Sequence, residues 1–456
     1  MHPPSRLAVA LSEGGLPEDE IPGKLALLAS AEQAFARFAS GSAERGWWVP
    51  GRIEVFGKHT DYAGGRSLLA AVPRGFILLA ARRSDSQVRV LEAASGAEAT
   101  IDSAAIPADS FDSPIASVAP GFRRYVEVVV RRLARNFPGA ALGADLAFAS
   151  DLPQAAGLSS SSALTVGMAT ALSRLSGLEE RPEWRAAIRT REDLAGYFAC
   201  VENGADFGTL AGSAGVGALT GSEDQTAILS CRAGTLSLCS FLPVVHHEDV
   251  ALPAGWRFVV ATSGVVAEKA GNARERYNRA ARQVAALLDL WNRARSERFP
   301  EPSLAAALAS EPGAEGALRA LLDEKPELHV RLTHFLREDA RAPQAMRAFR
   351  DADEAALGTL SAASQRDAEE LLGNQIPETV ALAALARRLG AFAASSFGAG
   401  FGGGVWALVR SPGADEADDF ARRWIGAYRE LYPRHLGADA FATSLGPGLL
   451  ELFRPV

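Results

Sequence analysis

The chain has 456 residues, 48% of them hydrophobic and 22% charged, with a formal net charge of -7. That length can bury a large core and suggests two or three domains. The acidic balance leaves no overall basic field, which argues against a nucleic-acid partner. Three cysteines, Cys200, Cys231 and Cys239, show neither metal-ligand spacing nor a disulfide framework. The first residues lack a long apolar run, and no membrane-length apolar stretch occurs anywhere. A reducing cytoplasm is the expected location. Lysine occurs only at Lys24, Lys58, Lys269 and Lys325 among 47 basic residues, so a positive charge without special duty is nearly always arginine here.

In chain order, residues 1–45 read as a polar start and one helix, Leu25 to Phe38. Trp47 to Gly57 has strand parity, with Ile53 and Val55 on one face and Arg52, Glu54 and Phe56 on the other. It breaks into Lys58-His-Thr-Asp-Tyr-Ala-Gly-Gly65, a loop dense in hydrogen-bonding side chains that reads as a solvated turn or as a site. An apolar run from Ser67 to Ala81 predicts a buried strand, and Gln87 to Ile101 predicts two strands around Ser95-Gly96. Phe122, Val126, Val129, Val130 and Leu133 form one helical stripe.

A strand from Ala144 to Ser150 then leads into Pro153-Gln-Ala-Ala-Gly-Leu-Ser-Ser-Ser-Ser-Ala-Leu164 and a helix striped by Leu164, Met168, Ala171, Leu172 and Leu175. A glycine loop feeding a serine-capped helix start presents free N–H groups and the positive end of a helix dipole to an anion. An ordinary cap needs one hydroxyl; four successive serines, Ser159 to Ser162, exceed that need and suit phosphate oxygens or a magnesium ion. The loop fits neither the Walker pattern nor the dinucleotide fingerprint. Further on, a Gly- and Ala-rich segment runs from residue 204 to Gly221, and Asp224 stands before a predicted strand, Thr226 to Cys231, as a turn residue or a pocket carboxylate. The later half predicts a strand at Trp256 to Thr262, a helix striped by Ala280, Val284, Leu287, Leu288 and Trp291, and mostly helix over residues 304–389. Then Ser396-Phe-Gly-Ala-Gly-Phe-Gly-Gly-Gly404 leads into a strand, Val405 to Val409. Its glycines let a backbone or a ligand approach closely. The alternation of strands and helices argues for mixed α and β layers.

Three segments in fixed order, Gly51-Arg-Ile-Glu-Val-Phe-Gly-Lys-His-Thr-Asp-Tyr-Ala-Gly-Gly65, the serine loop and Phe397-Gly-Ala-Gly-Phe-Gly-Gly-Gly404, resemble the three motifs of the GHMP small-molecule kinases. The first is most similar to the galactokinase branch, as are Asp224-Gln225, Glu202, Tyr277 and Ile376-Pro-Glu378. The resemblance implies a two-lobed α/β (α+β) fold with mixed sheets packed against helices and the active site between lobes, here 1–235 and 236–456. It implies ATP-dependent transfer of the γ-phosphoryl group to a sugar hydroxyl, at the anomeric carbon in galactokinases. Asp224 would be the catalytic carboxylate, with Arg52 lowering charge on it and on the moving group. Lys58, His59, Asp61, Gly221 and Tyr277 would meet the sugar. Gly157, Leu158, Ser159, Ser160, Ser161, Gly400 and Gly402 would meet the ATP, with Ser161 and Glu202 as Mg2+ ligands. The partners are then a small-molecule sugar and ATP, without nucleic acid or membrane, and a monomer would suffice. A sugar- and ATP-binding sensor without turnover is the alternative, disfavoured by Arg52 and Asp224 occurring together.

The chain departs from that pattern at several places. Galactokinases usually carry Asn at the position of Glu54 and an acidic residue at that of Lys58, which in the family contacts the hydroxyl at sugar carbon six. A compact lysine charge suits a carboxylate there, as in a uronic acid; equally, Glu54 and Lys58 share parity and could pair with each other. Ala155 and Ala156 replace a Gly and a small residue of the second motif, and Ala394-Ser-Ser396 replaces a basic residue before the third. The segment 204–220 exceeds the usual family spacing and reads as a lid or as a plug.

Overall fold

The computed structural model describes residues 4–115, 121–153, 156–265, 272–411 and 413–454, so Gln154, Ala155 and Lys269 lie outside the described residues. Helices α1 (Pro4–Glu13) and α2 (Ile21–Phe38) precede strands β1 (Arg45–Phe56), β2 (Arg66–Arg82), β3 (Gln87–Glu92) and β4 (Glu98–Asp102). Helix α3 (Arg123–Asn136), strand β5 (Ala144–Ser150) and helices α4 (Ser160–Leu175), α5 (Pro182–Ala187), α6 (Arg191–Asn203) and α7 (Glu223–Ser230) follow. Next come β6 (Thr235–Ser240), β7 (Val245–Ala251) and β8 (Trp256–Thr262). A helical stretch comprises α8 (Asn272–Ala294), α9 (Leu304–Ala309), α10 (Ala314–Ala320), α11 (Pro326–Arg350), α12 (Glu354–Asp367) and α13 (Pro377–Arg388). The fold closes with β9 (Ala393–Ser396), β10 (Gly404–Arg410), α14 (Ala414–Leu431), β11 (Asp439–Thr443) and β12 (Leu450–Phe453).

The first sheet runs β12-β1-β2-β5-β3-β4, with β6 also on β2 and β7 on β6. Its pairs are antiparallel except for the parallel β3–β5 pair. Both faces are covered, so successive residues enter different cores. Trp48, Ile77, Leu79, Ala147 and Ala149 pack under α1 and α2, while Trp47, Val49, Leu78 and Phe148 face α3 and α4 through Val129, Leu133 and Met168. The second sheet, β11-β8-β10-β9, is antiparallel throughout. Val259, Ala261, Val405 and Ala407 meet α13 and α14 on one face; Phe258, Val260, Trp406 and Leu408 on the other join the core of the first sheet. Trp406 stands edge-on to both Phe56 of β1 and Phe258 of β8, at centroid distances of 6.0 and 5.9 Å. The two sheets thereby share a core, and the ends of β1, α4 and β10 meet at one place.

Two sequence expectations fail. Residues 226–231 are not a strand: Glu223–Ser230 form α7, with Glu223 and Asp224 in its first turn, where acidic groups oppose the dipole's positive end. The polar start contains α1, held by Leu7 and Leu11, buried at helical spacing.

Candidate active site

The end of β1, the turn before α4, the start of α7 and the glycine loop between β9 and β10 enclose a cleft of roughly 260 Å³. Arg52, His59, Asp61, Gly157, Ser159, Ser160 and Ser161 line one part of it. Gly221, Asp224, Tyr277, Gly400 and Gly402 complete the expected residues on its walls.

Strand parity aims Arg52 inward. Its Nε donates to Asp224 Oδ1 at 2.7 Å, its Nη2 forms an ion pair with the same oxygen at 2.6 Å, and its Nη1 donates to the Gly157 carbonyl at 2.6 Å. Burial alone would lower its pKa, but the charges of Asp224 and Glu223 outweigh that and raise it, so the group stays charged. The other oxygen of Asp224 accepts from Ser162 Oγ at 3.0 Å. Both carboxylate oxygens are thus fixed by side chains from the first and second motifs.

The serine loop differs from the expected cap. Ser159 occupies the N-cap with a left-handed backbone, φ 59° and ψ 43°, and its side chain caps nothing. The hydroxyls of Ser159, Ser160 and Ser161 are left to the cleft, and the helix start is left to an anion. Leu158 points into the core instead, its carbonyl accepting the Arg52 N–H at 3.2 Å, so it does not line the cleft.

The third motif is gripped from beneath. Glu54 Oε2 accepts the Gly398 N–H at 3.0 Å, Asn374 Nδ2 donates to the Gly398 carbonyl at 2.5 Å, and the Asn374 carbonyl accepts the Phe401 N–H at 2.6 Å. Gly400, Gly402 and Gly403 take φ of 66°, 132° and 81°, which glycine alone adopts without strain. A Cβ on Gly400 would also lie 2.4 Å from the Asn374 carbonyl.

At the other end, Asp61 is buried and pressed against Gly221, whose Cβ would fall 2.3 Å from Asp61 Oδ2. Burial pushes the Asp61 carboxyl up to about 7. The His59 ring packs against that of Tyr277, tilted by 47° at 4.7 Å between centroids, and its Nδ1 lies 2.6 Å from the Tyr62 hydroxyl. Burial, aided by the Arg331 charge, lowers its pKa to about 3, leaving a neutral imidazole. Tyr277 is raised well above its ordinary value by burial and then by Asp61.

Lys58 and Glu202 stand elsewhere. The Lys58 ammonium is fully buried, donating to Ser364 Oγ at 2.6 Å and Ser395 Oγ at 3.0 Å, with Glu338 at 3.9 Å. It neither lines the cleft nor pairs with Glu54, which corrects both expectations for it. Glu338 of α11 also accepts from Arg341 at 2.8 Å and from the Gly57 N–H at 3.1 Å, so Lys58 belongs to a packed ionic joint under the loop. Glu202 is buried behind the wall, accepting from Gln225 Nε2 at 2.7 Å. Among the described residues no three His, Cys, Asp or Glu side chains gather as a metal cage.

Sequence reasoning missed Glu223 and Asn374 as parts of the site, and placed Ser162 with the phosphates where the structure sets it on Asp224. Glu223 adjoins Asp224 and lies 3.5 Å from Arg52; burial and then Glu54 and Asp61 push its carboxyl upward. Asn374 had no signal in the sequence.

Known proteins are similar to this chain in sequence and in fold. A model described as the galactokinase galactose-binding signature matches residues 33–82, one for the GHMP kinases N terminal domain matches 124–207, and one for the GHMP kinases C terminal matches 345–430. A galactokinase of Roseiflexus sp. is 30% identical over 373 residues, covering 79% of this chain and 82% of its own. One of Streptomyces coelicolor is 27% identical over 399 residues, covering 86% and 91%. The crystal structure of Lactococcus lactis galactokinase complexed with galactose superposes with a TM-score of 0.72 at 22% identity, covering 92% of this chain and 99% of that one.

Proposed function

The chain belongs to the galactokinase family, and from that premise we infer that it is an ATP-dependent galactose kinase acting on the hydroxyl at sugar carbon one. The supporting observation is Arg52, one guanidinium that touches both the Asp224 carboxylate and the carbonyl at the head of the serine loop. Phosphoryl transfer asks for position and charge stabilisation more than covalent help, and this arrangement supplies both. In this reading Asp224, its direction set by Ser162, accepts or orients the proton of the attacking hydroxyl. Arg52 offsets charge on that carboxylate and on the transferring group. Asp61 takes paired sugar hydroxyls, with His59, Gly221 and Tyr277 as the walls. Ser159, Ser160 and Ser161, with Gly157, Gly400 and Gly402, meet the triphosphate.

Hydroxyl and carboxylate oxygens suit a magnesium ion, which would arrive with the phosphates and neutralise part of their charge. Ser161 is its candidate ligand from the loop, and Glu202, now engaged by Gln225, the candidate carboxylate. The division into lobes 1–235 and 236–456 is likewise proposed, supported by the two sheets; the β6–β7 hairpin on the first sheet favours a boundary just before β8. Among the described residues no helix is long and apolar enough to cross a membrane. A cytoplasmic location is proposed on three free cysteines. The sensor alternative finds no support in relatives that are kinases by name.

The test is ADP release across a sugar panel that includes galactose and galacturonic acid, with the phosphate position read by NMR. Galactose phosphorylated at carbon one is expected, with galactose preferred over the acid. Sugar-dependent thermal stabilisation without ADP release would overturn the reading.

A further inference from the structure

The segment between Asn203 and Gly221 is neither an open lid nor a plug. Arg132, fully buried on α3, donates to the Ala205 carbonyl at 2.8 Å, and Asn136 donates to the Ala211 carbonyl at 2.9 Å. The Val216 N–H returns to the Glu202 carbonyl at 2.8 Å, folding the segment back on the end of α6. A Cβ on Gly215 would fall 2.5 Å from Asn203 backbone, so the fold-back is close.

The far end is held from a different direction. Asn278 of α8, 8% exposed, accepts the Leu219 N–H through Oδ1 at 2.9 Å and donates through Nδ2 to the Gly217 carbonyl at 2.9 Å. One amide thus satisfies a carbonyl and an N–H two residues apart, just past the left-handed bend at Gly217, φ 89°. The next residue, Thr220, has its carbonyl held by Asn203 at 2.8 Å and lines the cleft together with Gly221. Asn278 is also the sequence neighbour of Tyr277, which lines the cleft beside His59.

We propose that Asn278 is a positioning residue: by fastening residues 217–219 to α8 it sets the gap between the Gly221–Asp61 wall and the Tyr277–His59 wall, and so the fit of the acceptor sugar. This rests on the assignment of that end of the cleft to galactose. The segment 204–220 becomes a strut from α3 to α8 whose last residues form part of the acceptor wall. Among the described residues no hydrogen bond of the latch runs to the serine loop or the glycine loop, which α8 meets separately through Arg276 over the Phe401 ring at 4.5 Å, so loss of the latch is expected to act on the sugar end and not on nucleotide binding.

The experiment measures kcat and both KM values on the full chain. Asn278→Ala should raise KM for galactose about tenfold, for two lost hydrogen bonds, with KM for ATP within about twofold and kcat within about threefold. Leu219→Pro deletes the N–H from the other partner without touching α8 and should give the same sugar-selective change. The double variant should be no worse than Asn278→Ala alone, because both remove one latch. If Asn278→Ala does not fold, Leu219→Pro decides alone. Unchanged galactose KM, or a parallel rise in both KM values, overturns the latch while the parent remains a galactose kinase. A parent that releases no ADP with galactose overturns the functional reading, and the latch with it.

Discussion

Replacing Arg52 by lysine keeps the charge and removes the fork. The guanidinium now makes three short contacts, two to Asp224 Oδ1 at 2.7 and 2.6 Å and one to the Gly157 carbonyl at 2.6 Å. A lysine ammonium on a shorter reach can satisfy one of these directions. The charge-assisted hydrogen bond to Gly157, at about 1.5–3 kcal/mol, and the second contact to the carboxylate would then be lost. Water admitted beside the shorter side chain returns a share, leaving about 3 kcal/mol, on the order of a hundredfold fall in kcat/KM. Coupled ADP release at saturating ATP measures it, with circular dichroism confirming an intact fold. A lysine variant within about fivefold of the parent would refute the claim that the fork, and not merely a positive charge, organises the cleft.

Asp224→Asn should lower kcat by about a thousandfold or more while nucleotide affinity, read by fluorescence titration, stays within about twofold; a fully active variant removes Asp224 from the chemistry. Lys58→Met leaves Glu338 short of a buried counter-charge and should cost about 3 kcal/mol in urea unfolding, with galactose KM within about threefold; a large KM change at unaltered stability would return Lys58 to the substrate. Burial holds the Asp61 carboxyl up to about 7 against 3.8 ordinarily, so the folded chain keeps a proton that the unfolded chain releases. On this group's account stability falls as pH rises across that window. Asp61→Asn removes the effect, so its thermal midpoint relative to the parent should be higher at pH 8 than at pH 4; the opposite trend contradicts a raised Asp61.

Motif order and strand parity made much of the cleft legible before any coordinates. Arg52 and Glu54 face inward as alternation along β1 requires, and the serine run marks the loop before α4. Errors arose where a pattern was short or a partner remote. Six residues at 226–231, mixing β-branched and apolar types, cannot separate periods of 2 and 3.6; the acidic pair before them was the better signal of a helix start. Lys58 was misread because its partners, Glu338, Ser364 and Ser395, come from α11, α12 and β9, and no local pattern announces them. The same distance hides Asn374 and the grip of Glu54 on Gly398.

The pairing of β12 with the outer edge of β1, which sets Gly46 opposite Phe453, bears on synthesis. At about 5–20 residues per second, the roughly 400 residues between these partners keep that edge uncovered for about 20–80 s on the ribosome. An unpaired strand carrying Trp47 and Trp48 invites wrong partners during that interval. Nascent-chain handling, more than the final free energy, would then govern how much enzyme a cell recovers.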